Sequence, residues 1–326
     1  MHDTIIVGGS YAGISAGLQL ARARRDVLVL DAGQRRNRTA TASHGFLGQD
    51  GKDPGAIAAK GRAELLAYPT VTWQDAAVVD ARPVPGGFAV RAGADEHRGR
   101  RLVLATGVVD ELPAIPGLRE RWGRTVFHCP YCHAYELGRG PLAVLATCPM
   151  SLHQTVLVSD WASPGGTTLF LSGALELDTV QRNDLAARGI HVEHVPVVEI
   201  AGDVPAIDVR LEDGRELRFH GLFLQPRTRP ALALAESLGC ALDEGPLGPS
   251  SGPTRRRRPP CVASSRVARS REAWVPWRSR LATARAPEWR RTSRSSSGLR
   301  SDPFTVSSHD LRRAGFIHTG AFLLQL

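Results

Sequence analysis

Through its first 250 residues the chain alternates short, β-branched apolar runs with stretches of helical period, the pattern of a parallel α/β fold. Thr4-Ile5-Ile6-Val7 suits a buried parallel strand, and Ile14, Leu18 and Ala21 then recur at helical spacing as far as Arg22. Val27-Leu28-Val29-Leu30 is a second strand, ending on Asp31. Val71 to Trp73, Ala76 to Val79 and Phe88 to Val90 read as short strands, the last two joined by a Pro85-Gly86-Gly87 turn. The apolar strand Leu102 to Leu104 runs into Ala105-Thr106-Gly107, and Pro113, Pro116 and Gly117 then make a linker. A second set follows: strand Leu142 to Leu145, helix about 151–160, strand Thr168 to Leu171, helix about 178–188 and strand Ile190 to Val195. Val197 to Ile200 and Ile207 to Leu211 form a hairpin, Leu222 to Leu224 a strand, and Ala231 to Leu238 a short helix.

Composition changes this picture only at the end of the chain. Of the net charge of +9, residues 251–300 carry +12, from 14 Arg against Glu272 and Glu288. Residues 301–326 are neutral, so subtracting +12 and 0 from +9 leaves −3 for residues 1–250. The body is mildly acidic, and the basic balance belongs to the tail. Five cysteines, one pair and three singletons, do not make a secreted disulfide framework. With no signal-like start and no apolar run that spans a bilayer, the expectation is a cytoplasmic protein without a membrane partner.

The first strand leads directly into Gly8-Gly9-Ser10-Tyr11-Ala12-Gly13, then helix, strand and Asp31. That is the order a dinucleotide fold requires. Gly8 allows the tight turn, Gly13 lets helix and strand approach, the helix N-terminus offers N–H groups to a pyrophosphate, and Asp31 can accept from a ribose hydroxyl. Ser10 replaces the second glycine of the usual pattern. Arg38, with Arg35 and Arg36, lies just beyond Asp31 as a candidate phosphate clamp or solvated surface.

His128-Cys129-Pro130-Tyr131-Cys132-His133 follows the linker. Two thiols at this spacing can close and reopen a small disulfide ring, and so hold two electrons. Half a zinc site or an inert core pair are the alternatives, but Cys148, Cys240 and Cys261 are scattered singletons that do not complete a metal site.

The glycine turn with Asp31, the Ala105-Thr106-Gly107 turn and the Cys129/Cys132 pair, in this order, resemble the low-molecular-weight thioredoxin reductase family over about residues 1–250. The resemblance implies two Rossmann-like, three-layer α/β domains. Residues 1–113 and 225–250 would form an FAD domain interrupted by a smaller NAD(P)-like domain, 114–224, that carries the Cys-x-x-Cys. It also implies that Gly8, Ser10, Tyr11, Ala12, Gly13, Asp31, Arg38, Ala105, Thr106 and Gly107 line FAD. Cys132 would face the flavin and Cys129 would exchange with substrate. His133 stands where the family has an acid, and its ordinary pKa suits proton transfer near neutral pH.

After Leu142 to Leu145 such a reductase should have a second glycine fingerprint. Ala146-Thr147-Cys148-Pro149-Met150-Ser151 holds no glycine, and Glu176 and Asp178 stand where NADPH-binding arginines belong. NADPH is therefore a doubtful cofactor. The pattern looks more like the thioredoxin-reductase-like dithiol oxidases, fed by a small dithiol and finished by oxygen; a thioredoxin-like protein partner and a reductase fed by another donor remain open. Relatives of this kind are commonly homodimers.

Residues 251–326 lack the family's Ala-Gly-Asp segment and closing helix. Three readings compete: a nucleic-acid-binding tail, a disordered arm, and a shifted reading frame. The last is favoured, because Cys261 to Arg269 back-translates in another frame to Gly-Val-Phe-Ala-Gly-Gly-Glu. Nucleic acid is accordingly disfavoured as a partner, and a non-catalytic product is the reading from another class.

Overall fold

The computed structural model describes residues 1–240, 243–245, 247–250 and 261–263. It opens with β1 (His2–Val7), α1 (Tyr11–Arg22), β2 (Val27–Asp31), α2 (Pro54–Leu66) and β3 (Val71–Asp75). A meander of β4 (Val78–Val84), β5 (Gly87–Ala92) and β6 (Asp95–Leu104) completes a sheet ordered β3-β2-β1-β6-β5-β4. Ile5 stands in register between Leu28 and Leu102. Side chains alternate across this sheet. Ile5, Val7, Leu28 and Leu30 enter a core with Phe88 and Val90, whereas Ile6, Val27 and Val29 enter another with Ala21 of α1 and Leu65 of α2. Burial on both faces explains why these strands read as unbroken apolar runs; each such side chain contributes about 1.5–3 kcal/mol. β6 is longer than its apolar run predicts, because its polar first half pairs antiparallel with β5 before the second half joins β1 in parallel.

The ordered elements that follow are β7 (Val108–Glu111), β8 (Val126–Phe127), α3 (Pro130–His133), β9 (Leu142–Leu145), α4 (Met150–Ser159), β10 (Thr167–Phe170) and α5 (Thr179–Ala187). Next come β11 (His191–Glu193), β12 (Val197–Asp203), β13 (Ala206–Leu211), β14 (Glu216–Phe219), β15 (Gly221–Leu224), β16 (Arg227–Pro230) and α6 (Leu234–Ser237). A five-stranded parallel sheet runs β11-β10-β9-β15-β8. Val144 and Leu169 pack with Val158 of α4 and Leu185 of α5 on one side; Leu145 and Leu222 pack with Ile200 and Val209 of the β12-β13-β14 sheet on the other. Helix layer, parallel sheet and antiparallel layer thus occur twice, the expected pair of three-layer Rossmann-like architectures. The helix expected over Ala231 to Leu238 is shorter, reduced to α6.

A two-stranded ribbon has no counterpart in the apolar pattern of the sequence. β7 and β16 pair antiparallel, Val109 opposite Arg229, as a two-stranded ribbon where the chain leaves and re-enters the first sheet. Arg36 anchors it: its guanidinium forks onto Asp110 at 2.5–3.1 Å, and Asp110 is only 9% exposed.

β17 (Asp243–Gly245) and β18 (Gly248–Ser250) make a hairpin, and β19 (Cys261–Ala263) adds to β6 in parallel, Cys261 opposite Leu102. Apart from these short strands, the readings of the tail fall outside the described residues. No helix among the described residues is long and apolar enough to cross a membrane.

Candidate active site

The two glycine-bearing turns meet backbone to backbone. Gly8 has φ +101°, and a Cβ there would lie 2.3 Å from the Ala105 carbonyl oxygen; one on Gly13 would lie 1.8 Å from the Gly8 oxygen. No side chain fits either place, so β1, α1 and the Ala105-Thr106-Gly107 turn close together. Ser10 is the N-cap of α1 in extended conformation, with no side-chain cap bond. The first-turn N–H groups at Tyr11, Ala12 and Gly13 have no intrahelical acceptors and suit a pyrophosphate. The Gly9 N–H donates to Asp31 Oδ1 at 2.9 Å, which fixes the carboxylate at the end of β2.

Three side chains shape this region further. Tyr11 ties α1 to α2, donating its hydroxyl to the Pro54 carbonyl at 2.9 Å and accepting from Asn37 Nδ2 at 3.2 Å. Arg38 is exposed and donates to the Arg35 carbonyl at 3.0 Å. Trp73, which carried no sequence signal, lays its indole against Gly9, where a Cβ would come within 2.3 Å of the ring.

Cys129 and Cys132 are joined as a disulfide with Cα atoms 5.4 Å apart, Cys129 at the N-cap of α3. Two elements set this pair: β8, which delivers the chain from the parallel sheet, and Pro130, buried at the start of the turn. His133 stacks on Phe127 with ring centroids 4.3 Å apart. Burial, then the charge of nearby His44, pushes the His133 pKa down to about 4. Beside the closed disulfide, near neutral pH, His133 is an uncharged ring and a weaker base than an exposed imidazole. His128 is also lowered to about 4, by burial and then by Arg36, and its buried Nδ1 has no hydrogen-bond partner.

Both histidines must gain a proton on unfolding in mild acid. Their folded pKa values lie below the ordinary 6.5, so the stabilisation is complete above pH 6.5 and is lost as pH falls from there towards 4. A shift of this size corresponds to about 3 kcal/mol per group. Urea unfolding at pH 7 and near pH 4.5 should show a lower midpoint in acid, with a His128→Gln variant losing part of that difference. A midpoint independent of pH across this window would contradict the assignment.

In the second sheet the β9–α4 turn has its amides occupied from within. Ser151 Oγ, fully buried, accepts from the Thr147 N–H at 3.1 Å and the Cys148 N–H at 3.4 Å. The Thr147 hydroxyl donates to the Gln225 carbonyl at 2.6 Å, and Pro149 caps α4 without a side-chain bond. A phosphate arriving here would meet a serine oxygen where a glycine fingerprint presents free N–H groups. Ser151→Ala should strand two donors and lower stability by about 1–3 kcal/mol in urea unfolding; an unchanged midpoint would show that those bonds carry no weight.

The model of the pyridine nucleotide-disulphide oxidoreductase family matches residues 2–158. The chain is 32% identical to thioredoxin reductase tcpT of Claviceps purpurea over 259 residues, spanning 76% of this chain and 79% of that one. The chain belongs to this family. Thioredoxin reductase sirT of Leptosphaeria maculans is similar at 31% identity, over 75% of this chain and 80% of its own. The crystal structure of an oxidoreductase from Agrobacterium tumefaciens superposes with a TM-score of 0.73 at 51% identity, covering 76% and 83% of the two chains. This pyridine nucleotide-disulphide oxidoreductase is thus of the thioredoxin-reductase-like kind, an FAD-dependent enzyme acting on a sulfur group. The cradle fits FAD: Gly8 and Gly13 leave the room, α1 would offer its first-turn amides, and Asp31 would offer a ribose acceptor.

Proposed function

We propose that the Cys129–Cys132 pair exchanges two electrons between an external thiol compound and FAD, and that a small dithiol is the electron source. The observation carrying the second half is Ser151, whose hydroxyl takes the amides a pyridine nucleotide would need. A substrate thiolate attacks Cys129, breaking the bond to Cys132. The second substrate sulfur then attacks the mixed disulfide, releasing an oxidised, cyclic substrate and leaving both cysteines reduced. Two electrons and two protons pass from substrate to the pair, and His133 is the candidate carrier of the proton from the attacking thiol to the departing Cys132 sulfur. FAD, when bound, would supply the two-electron acceptor through which Cys132 and Cys129 re-form their disulfide.

In this reading residues 1–113 and 225–250 hold the flavin, residues 114–224 hold the pair, and the protein works in the cytoplasm with oxygen as final acceptor. Thioredoxin-like proteins are the competing partner class, favoured by the names of the relatives. Oxygen consumption with a small dithiol, yielding hydrogen peroxide, tests the proposal. Turnover with NADPH and a thioredoxin, without dithiol oxidation, would replace it by a reductase.

A further inference from the structure

Cys129 enters its turn from a two-residue strand at the edge of the second sheet. β8 pairs in parallel with β15 only at Val126 opposite Leu222 and Phe127 opposite Phe223. Beyond those residues the pairing ends, and one side chain from α4 bridges the next carbonyl on each strand. Gln154 is fully buried, and its Nε2 donates to the His128 carbonyl at 2.7 Å and to the Leu224 carbonyl at 3.3 Å. Both neighbours are acceptors, which fixes the amide with its nitrogen towards them. Gln154 therefore continues, for one more step, the holding that ladder N–H groups do within the sheet. It does so at the peptide that joins His128 to Cys129.

The other half of the pair is set by the turn itself. Pro130 is buried, the Cys132 N–H donates to the Cys129 carbonyl at 3.3 Å, and the Ala134 N–H donates to the Pro130 carbonyl at 2.8 Å. Cys132 is thus placed within α3, whereas Cys129 stands at its N-cap and depends on the peptide before it. A disulfide closes readily when its two sulfurs are held within reach. Letting one of them wander lowers their effective concentration for each other and favours the open dithiol. Thr155, the next residue of α4 and equally buried, provides a contrast: its hydroxyl donates to the Ser151 carbonyl at 2.7 Å, a bond internal to the helix.

We propose that Gln154 is a positioning residue that holds the His128–Cys129 peptide to α4 and thereby keeps Cys129 within closing reach of Cys132. The inference rests on the thiol–disulfide reading given above. The test is the equilibrium of the purified full chain, without oxygen, with mixtures of reduced and oxidised dithiothreitol, quenched by alkylation and read by mass. In it one protein S–S bond breaks, one forms in cyclic dithiothreitol, and two electrons with two protons pass to Cys129 and Cys132. Gln154→Met keeps the length of the side chain and removes both donors; it should shift the equilibrium about tenfold towards the open dithiol. Gln154→Asn, whose amide is drawn back by one methylene, should shift it the same way by a smaller factor, and decides the question alone if the Met variant does not fold. Thr155→Val should stay within about twofold of wild type even where it lowers the urea midpoint. A wild-type equilibrium in the Gln154 variants would overturn the proposal, as would an equal shift in Thr155→Val. A wild-type disulfide that dithiothreitol never opens would instead overturn the thiol–disulfide reading itself.

Discussion

Replacing Cys132 with serine should abolish dithiol oxidation, lowering kcat/KM by at least about 10³-fold, while leaving the fold intact. The closed pair is the centre through which both electrons pass, and a serine hydroxyl can neither form nor release the disulfide. The two cysteines should fail differently. Cys132→Ser leaves the Cys129 thiol free to attack a disulfide probe and to remain attached, because no neighbouring sulfur resolves the adduct. Cys129→Ser should be as inactive but should trap probe more slowly, if Cys129 is the exchanging sulfur. Intact mass after incubation with a thiol-linked probe distinguishes them. Equal trapping by both variants would remove the assignment of roles, and residual turnover near the wild-type rate would remove the pair from the mechanism.

Gly13→Ala should cost the protein its flavin. The added methyl would stand 1.8 Å from the Gly8 carbonyl oxygen, a separation that only backbone movement can relieve. The Gly8 carbonyl belongs to the turn that also presses on Ala105, so moving it disturbs both walls of the cradle. Overpacking of this kind costs about 1–3 kcal/mol, and more where the clash is with backbone. The purified variant should carry much less flavin absorbance per chain than the wild type and should unfold at lower urea. Full flavin content with unchanged stability would mean that α1 does not pack as described.

Much of this was legible in the chain itself, for reasons visible in the structure. Ile5, Ile6 and Val7 read as a parallel strand because both faces of the sheet are covered, and the glycines at 8 and 13 read as a cradle because backbone approaches backbone there. The missing fingerprint after Leu145 was legible as an absence. What replaces it, the Ser151 hydroxyl folded back on the turn, was not, because a serine in a turn has many acceptable partners. α2 escaped notice although Asp53 and Pro54 are a good helix start, and Asp53 does cap the Ala56 N–H at 2.7 Å. The β7–β16 ribbon could not be read, since each four-residue strand is defined by its distant partner. For the same reason Arg36 with Asp110, and His44 with Glu136, are contacts that no local pattern announces. His133 was legible as a candidate acid or base, but its lowered pKa comes from burial and from nearby His44, which only the fold brings about.

The central claim is that electrons enter this flavoprotein through Cys129 and Cys132 from a dithiol. Anaerobic mixing of the purified protein with excess dithiothreitol, and separately with NADPH, tests it through the visible absorbance of the flavin. The dithiol should bleach the flavin rapidly, NADPH should not bleach it comparably, and Cys132→Ser should lose the dithiol response. Rapid bleaching by NADPH, with the dithiol inert, would contradict that claim.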